Sequence, residues 1–202
     1  MSRGHFITFE GIDGAGKSTH IEWLAARWRE QGRRVVLTRE PGGTPLGERI
    51  REIMLHESMA NMTELLLAFA ARAEHIHQVI RPALERGEWV ICDRFTDSSF
   101  AYQGGGRQIP TASIEALASL VQEGLQPDCT LLFDLDPATA ARRRAQVRGA
   151  DRFEAEDIAF FDRVRNAYLS RARAEPERFH LIDSTLSVSQ IRVMLENIVS
   201  KY

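Results

Sequence analysis

The sequence predicts an α/β fold in which helices cover both faces of a central five-stranded parallel sheet. Short apolar runs alternate with longer amphipathic segments along the whole chain. The apolar runs show no alternation of polar side chains, which is typical of strands that are buried on both faces. Strands that alternate with helices form parallel sheets, because right-handed crossovers place the helices over the two faces.

Each element follows from this pattern in chain order. The predicted strands are residues 5–10, 34–39, 89–93, 129–134 and 179–183. The predicted helices are residues 17–30, 45–56, 63–85, 109–123, 137–147, 156–174 and 187–200. No repeat, low-complexity tract or linker divides the chain, so residues 1–202 are predicted to form one domain.

Composition excludes several classes of protein. The 26 Lys and Arg residues nearly balance the 28 Asp and Glu residues, giving a net charge of −2, so an extended polybasic surface for nucleic acid or lipid is not expected. No apolar run is long enough for a membrane span, and residues 1–10 lack the apolar stretch of a signal peptide. The only cysteines, Cys92 and Cys129, each lie in an apolar run and are expected to be reduced and buried. We therefore expect a cytoplasmic protein.

Charged and glycine-rich residues follow four of the predicted strands directly. Because the carboxyl ends of parallel strands meet at one edge of a sheet, these residues predict a ligand site at that edge. They are residues 11–18, residues 39–43, Asp93 with Arg94, and Asp134 with Asp136.

The segment after the first strand matches the phosphate-loop pattern G-x-x-x-x-G-K-[ST] and precedes an amphipathic helix. Glycines let backbone N–H groups turn towards phosphate oxygens, and the helix directs its positive end at them. The alternative is a glycine-rich turn with a stray lysine. The motif predicts a three-layer P-loop NTPase fold and these ATP-binding residues: Gly11, Ile12, Asp13, Gly14, Ala15, Gly16, Lys17, Ser18 and Thr19.

Asp93 and Arg94 end the third strand, opposite the predicted phosphate loop. A carboxylate there can hold Mg²⁺ together with the Ser18 hydroxyl group, and an arginine beside it can bind phosphate through two parallel hydrogen bonds. The alternative is an ion pair at the rim. We predict Ser18 and Asp93 as metal ligands.

Arginines are concentrated in residues 142–152. This segment follows the fourth strand and contains Gly149, which favours a mobile lid that carries positive charge to transferring phosphates. A solvated helix face is the alternative for any single arginine of the group.

Phe69 and Arg72 share one face of the predicted third helix. A planar base that stacks on the ring and binds the guanidinium would satisfy both side chains, whereas Phe69 by itself would be assigned to the core.

Four motifs together resemble the thymidylate kinase family, which uses ATP to phosphorylate dTMP to dTDP, a precursor of dTTP for DNA synthesis. They are GIDGAGKST from Gly11, TREPGGT from Thr38, DRFTDSSFAYQGGGR from Asp93 and DRFE from Asp151. The resemblance covers nearly the whole chain. It implies ATP and dTMP as substrates, Mg²⁺ and a homodimer, while the charge and hydropathy of the chain predict no nucleic-acid or membrane partner.

The resemblance also implies roles for individual residues. Catalysis would involve Lys17, Arg94, Asp13, Arg143 and Arg148, with Asp13 near Mg²⁺ and the 3′-hydroxyl group of dTMP. Gly14 and the arginine-rich lid resemble the bacterial class, in which Arg143, Arg148 or Arg152 would supply charge in the transition state. Tyr102 would lie under the sugar and disfavour ribose. Arg39, Arg51 and Arg94 would bind the monophosphate, and Arg72, Ser99 and Gln103 would contact the edge of thymine. Glu40 and Phe69 complete the expected dTMP site with Asp13 and Tyr102.

Two other functions fit parts of this pattern. A kinase of another nucleoside monophosphate would share the loop and the lid, and a P-loop ATPase or switch would share the loop alone.

Overall fold

The computed structural model describes residues 3–144, 152–153 and 155–202. A five-stranded, all-parallel sheet in the order β2-β3-β1-β4-β5 forms its centre. The strands are β1 (Phe6–Glu10), β2 (Val35–Arg39), β3 (Trp89–Asp93), β4 (Cys129–Asp134) and β5 (Phe179–Asp183). The predicted fold class and all five predicted strands are confirmed.

The central position of β1 determines where the ligand site forms. Every residue of β1 is buried, and it pairs with β3 on one side and β4 on the other. In this pairing Phe9 lies opposite Asp93, so the loop after β1 and the end of β3 lie side by side. The chain moves to one side of β1 for β2 and β3 and to the other side for β4 and β5, which creates a crevice at the carboxyl ends of the strands.

Helices cover both faces of the sheet, as expected. Among the described residues they are α1 (Lys17–Glu30), α2 (Pro45–His56), α3 (Asn61–His75), α4 (Arg81–Glu85), α5 (Thr96–Ser99), α6 (Thr111–Gln122), α7 (Pro137–Arg144), α8 (Ile158–Ala174) and α9 (Val188–Val199). Side chains of β1 alternate between two apolar clusters: Phe6 packs with Ile80 and Leu84, whereas Ile7 and Phe9 face the larger cluster that includes α1 and α8.

The single helix predicted for residues 63–85 is interrupted. A π-helical segment (Ile76–Ile80) separates α3 from α4. Pro82 lies at the start of α4, where its ring lacks an N–H group and would clash with the carbonyl group four residues earlier in a regular α-helix. The wider π turn before the proline relieves that clash.

The segment after β3 also forms an element that the sequence analysis did not predict. The short helix α5 continues into a second π-helical segment (Phe100–Gly106), which packs against α8. A Cβ atom at Gly105 would lie 2.7 Å from the Ala167 Cβ atom, and one at Gly106 would lie 2.4 Å from the Phe160 ring. These two glycines therefore permit the close approach that holds the segment in place.

Candidate active site

The loop between β1 and α1 has the geometry of a phosphate-binding loop. Gly11, Gly14 and Gly16 adopt positive φ angles of 130°, 86° and 90°. A Cβ atom at Gly11 would lie 2.3 Å from the Phe133 carbonyl oxygen, so only glycine fits there. Helix α1 begins at Lys17 without a side-chain cap, which leaves the N–H groups of its first turn for a ligand.

The side chain of Lys17 lies inside this loop. Its Nζ atom donates hydrogen bonds to the carbonyl oxygens of Gly11 at 2.9 Å and Ile12 at 3.3 Å. Burial lowers the pKa of the ammonium group, and the neighbouring Arg94 lowers it further. Because it is buried and poorly hydrated, this cation is suited to binding phosphate oxygens.

Arg94 lies between the phosphate loop and the segment after β3. Its backbone φ angle is 71°, in the left-handed region that non-glycine residues rarely adopt, and such strain is typical of functional sites. The guanidinium group donates to Asp13 Oδ1 at 2.9 Å and to the hydroxyl oxygens of Tyr102 and Tyr168 at 3.1 Å each. Burial opposes its charge, but Asp13 and the tyrosines keep the pKa of Arg94 well above its ordinary value.

Asp13 is held as an anion at the same point. Tyr102 donates a hydrogen bond to its Oδ2 atom at 3.2 Å. Burial favours the protonated form, but Arg94 and Lys17 hold the pKa of Asp13 well below its ordinary value. The phosphate loop and the segment after β3 are therefore joined by a fixed carboxylate–guanidinium pair.

Glu10 is a second buried carboxylate, and its hydrogen bonds hold the segment that follows β3. The sequence analysis did not identify it. It accepts hydrogen bonds from the Phe95 N–H group at 2.7 Å, the Ser98 hydroxyl group at 2.7 Å and the Tyr168 hydroxyl group at 2.8 Å. Burial, with a contribution from Asp97, raises the pKa of Glu10 to about 7. An acidic residue at the end of an otherwise apolar strand was the available signal.

A cleft extends from the Asp13–Arg94 pair towards α2 and α3. Asp13, Arg51 and Arg94 line one end of it, and Arg72, Ser99 and Gln103 line the other. Its apolar wall is formed by Met54, Leu55, Ala68, Phe95 and Phe153. A cleft with a charged end, apolar walls and a polar far end fits a nucleotide.

Arg72 is fixed at the far end by three hydrogen bonds. Its guanidinium group donates to Glu40 Oε2 at 2.7 Å, to Ser99 Oγ at 3.1 Å and to the Phe95 carbonyl oxygen at 3.1 Å. The other oxygen of Glu40 lies 3.0 Å from His75 Nδ1. Arg72 and Glu40 are each only 3% exposed, so this is a fully desolvated ion pair.

Phe69 lies elsewhere than the sequence analysis expects. Its ring is buried with Leu65, Ile109 and Ile114, and the Arg72 guanidinium carbon lies 4.5 Å from its centroid. It therefore supports Arg72 from behind, and Ala68 faces the cleft in its place. One residue along an α-helix turns the side chain by about 100°, which explains the difference.

The arginines expected to bind the monophosphate do not all line the cleft. Arg51 lines the cleft and donates to the Pro41 carbonyl oxygen at 3.1 Å. Burial lowers the pKa of Arg51, and repulsion from Arg39 and Arg94 lowers it further, so the three cations lie near one another. Arg39, however, is exposed and pairs with Glu48 at 2.7 Å, outside the cleft.

Ser18 and Asp93 are the two residues predicted to hold a metal ion. Both line a second depression beside the phosphate loop, together with Glu48. The Oδ1 atom of Asp93 is buried and has no hydrogen-bond partner among the described residues. A carboxylate oxygen without a partner beside a serine hydroxyl group fits Mg²⁺, which prefers oxygen ligands.

The predicted lid arginines are only partly described. Arg148 lies outside the described residues. Arg143 is exposed and donates to the Ser184 carbonyl oxygen at 3.1 Å, near the end of β5. Arg152 binds Glu64 at 2.8 Å and the Met54 carbonyl oxygen at 2.9 Å, which places it against α2 and α3.

Comparison with known proteins identifies the family. The family model for thymidylate kinase matches residues 9–195. The chain belongs to the thymidylate kinase family. Thymidylate kinases are phosphotransferases that use ATP to phosphorylate dTMP in dTDP biosynthesis, so the predicted family and activity are confirmed.

Individual thymidylate kinases resemble this chain over almost its full length. The thymidylate kinase of Cupriavidus pinatubonensis is 62% identical, with 98% of each chain covered, and that of Paraburkholderia xenovorans is 57% identical, with 99% of each chain covered. The crystal structure of thymidylate kinase from Ehrlichia chaffeensis superimposes with a TM-score of 0.82 at 35% identity, covering 98% of this chain and 99% of that one. Within the described ranges, no helix is long and apolar enough to cross a membrane.

Proposed function

We propose that the cleft between Lys17 and Gln103 is the active site in which the γ-phosphoryl group of ATP is transferred to dTMP. One observation carries this assignment. The Asp13–Arg94–Tyr102 cluster joins the phosphate loop directly to the cleft that Arg72 and Gln103 close. A donor phosphate on the loop and an acceptor phosphate in the cleft would meet at Arg94.

The phosphate end would act by positioning and charge neutralisation. The attacking oxygen of a nucleoside monophosphate is already ionised, so the transfer needs no strong general base. Lys17 and the loop amides would hold the ATP phosphates, while Arg51 and Arg94 would hold the monophosphate. Mg²⁺ held by Ser18 and Asp93 would neutralise charge on the ATP phosphates. Because Arg39 pairs with Glu48, its proposed contact with the monophosphate requires it to leave that partner.

The far end would recognise the nucleoside. Arg72, Ser99 and Gln103 line it with polar groups, and Glu40 fixes Arg72. Tyr102 lies between the two ends, in the position proposed for the deoxyribose, and Asp13 is near enough to Tyr102 to receive the 3′-hydroxyl group. We propose that the ring of Phe153, and not that of Phe69, packs against the base on the side that faces the lid.

The lid arginines Arg143 and Arg148 are proposed to add positive charge when both nucleotides are bound. The contact between Arg143 and Ser184 supports a place for Arg143 near the ATP side of the sheet. Closure of the lid would also exclude water that otherwise hydrolyses ATP.

The test is ADP release from Mg²⁺-ATP with dTMP, dUMP, UMP, CMP, AMP and GMP supplied separately, and with no acceptor. We expect turnover that requires an acceptor, favours dTMP, and strongly disfavours UMP relative to dUMP. Equal ADP release with and without acceptor would instead support an ATPase or switch. A preference for another monophosphate would support a different kinase of the same fold.

We further propose a homodimer in the cytoplasm. Met62 and Leu66 on α3 are 45% and 50% exposed, and an apolar face of this kind supports association with a second copy. Cys92 and Cys129 are free and buried thiols, which suits a reducing compartment. Light scattering coupled to gel filtration would measure the mass in solution, and a monomer would contradict the dimer.

A further inference from the structure

Glu64 is a buried carboxylate at the base end of the cleft to which neither the sequence analysis nor the proposed mechanism assigns a role. It lies on α3 and is fully buried. Arg152 donates to its Oε2 atom at 2.8 Å, and Arg107 donates to the same atom at 3.1 Å. The carboxylate thus forms buried ion pairs with two guanidinium groups, which are donors only.

The remaining oxygen of Glu64 contacts Gln103 and accepts a longer hydrogen bond, of 3.4 Å, from Arg107 Nε. The Gln103 Nε2 atom donates to Glu64 Oε1 at 2.7 Å. An ionised carboxylate only accepts hydrogen bonds, so the NH₂ group of the Gln103 amide must face it and the amide cannot be flipped. The acceptor-only carboxylate therefore determines which way the Gln103 amide faces.

Fixing the NH₂ group determines what the cleft presents to a ligand. Gln103 lines the cleft and is 4% exposed, and its Oε1 atom accepts no hydrogen bond from any described residue. Oε1 is thus the polar atom of the amide left for a bound base. Arg72, which also lines the cleft, can only donate. The far end accordingly offers a hydrogen-bond donor beside a hydrogen-bond acceptor.

This pattern matches one pyrimidine edge and opposes another. Thymine and uracil carry an acceptor at O4 and a donor at N3–H, whereas cytosine carries a donor at N4 and an acceptor at N3. A cytosine in the same place would set its amino group against Arg72 and its N3 lone pair against Gln103 Oε1. Sites with fixed polar groups reject such mismatches strongly, because buried groups would be left unpaired.

We propose that Glu64 is a positioning residue that makes this kinase select thymine over cytosine, by fixing the Gln103 amide with its oxygen towards the base. The proposal rests on the proposed placement of the base between Arg72 and Gln103. It assigns Glu64 no contact with substrate.

The decisive variant is Glu64→Gln. Its amide oxygen would face Arg107 and Arg152, which only donate, so its NH₂ group would face Gln103 and force the Gln103 amide to turn its oxygen away from the base. We expect the ratio of kcat/KM for dTMP to that for dCMP to fall about tenfold to a hundredfold, as for loss of one buried hydrogen bond. The ratio for dTMP to dUMP should not change, because thymine and uracil present the same edge.

Matched variants separate positioning from general damage. Glu156→Gln makes the same chemical change in a carboxylate that also pairs with Arg107 but does not contact Gln103, and it should keep the dTMP:dCMP ratio of the wild type. Glu64→Asp keeps an acceptor-only group and should restore the ratio even if KM rises. Gln103→Met removes the amide while Glu64 keeps both arginines, so it should lower the ratio even if Glu64→Gln does not fold.

The outcomes are distinguishable. A folded Glu64→Gln enzyme that loses activity on dTMP and dCMP equally would overturn the proposal and leave Glu64 with a structural role. An unchanged ratio in Gln103→Met would overturn it as well. Failure of the wild type to phosphorylate dTMP would contradict the proposed function of the cleft, and not the role of Glu64 alone.

Discussion

The phosphate end of the site consists mainly of one continuous stretch of chain, residues 11–19, which reaches the cleft through Asp13. Its backbone N–H groups and single lysine are the groups that we propose to bind phosphate. At the base end the cleft is walled by Arg72, Ser99 and Gln103, which come from three different elements. The first end depends on local backbone shape. The second depends on buried carboxylates, Glu40 and Glu64, that hold the side chains of other elements.

This difference predicts how the two ends respond to substitution. Removing charge at the phosphate end should lower kcat, because those groups act on the transferring phosphoryl group. Removing a buried carboxylate at the base end should change KM and selectivity for the nucleoside, because those groups act before the transfer. Four substitutions test the comparison.

Lys17→Met should have the largest effect. We expect kcat to fall by about 10² or more, because a preorganised charge at the phosphates is lost, while the KM for dTMP changes little. The chain has only one other lysine, Lys201, which is exposed, so Lys201→Met is a matched control that should behave as the wild type. Steady-state ADP release measures both constants. A Lys17→Met enzyme with near wild-type kcat would remove this residue from the mechanism.

Arg94→Met should be nearly as severe but different in kind. Arg94 lies where the phosphate loop meets the cleft, so we expect kcat to fall about 10²-fold and the KM for dTMP to rise as well. Arg173→Met makes the same change at an exposed position of α8 and controls for the loss of an arginine. A thermal melting curve checks the fold. An effect on kcat alone would place Arg94 entirely at the phosphate end.

Glu40→Gln should act on the base end only. The buried ion pair with Arg72 becomes a weaker hydrogen bond, and a charged hydrogen bond contributes roughly 1.5–3 kcal/mol, so we expect the KM for dTMP to rise about tenfold. The kcat at saturating dTMP should stay within a few-fold of the wild-type value. Glu52→Gln breaks an exposed pair with His56 and should change neither constant measurably. A fall in kcat without a rise in KM would contradict the division between the two ends.

The phosphate end of the site could be predicted from the sequence more completely than the base end. The phosphate loop is a contiguous motif with a local mechanism, so residues 11–18 and their position between β1 and α1 could be predicted from the chain alone. The parallel sheet follows from the alternation of short apolar runs with amphipathic segments, whereas the strand order, the partial exposure of β2 and β5 and the π-helical turn before Pro82 do not. Glu10 and Glu64 could not be assigned, because their roles depend on partners that lie 85 and 39 residues away in the chain. Phe69 was assigned to the cleft wall because periodicity places it near Arg72 without deciding which neighbour faces the ligand.

The last prediction concerns stability and not catalysis, and it is made for Glu10, which contacts the segment after β3. Burial raises the pKa of Glu10 to about 7 from an ordinary value of 4.5, so between these pH values the folded protein keeps a proton that the unfolded chain has lost. Folding is therefore favoured at low pH. As the pH rises towards 7 this contribution is lost, and the free energy of unfolding falls by roughly 3 kcal/mol at most. Glu10→Gln does not titrate, and the other groups cancel in the comparison. Urea unfolding of both proteins from pH 5 to pH 8 should show the wild type losing stability relative to the variant up to about pH 7 and levelling off above it. A difference that stays constant across this range would mean that Glu10 is ionised throughout, held by Arg94 in the same way as Asp13.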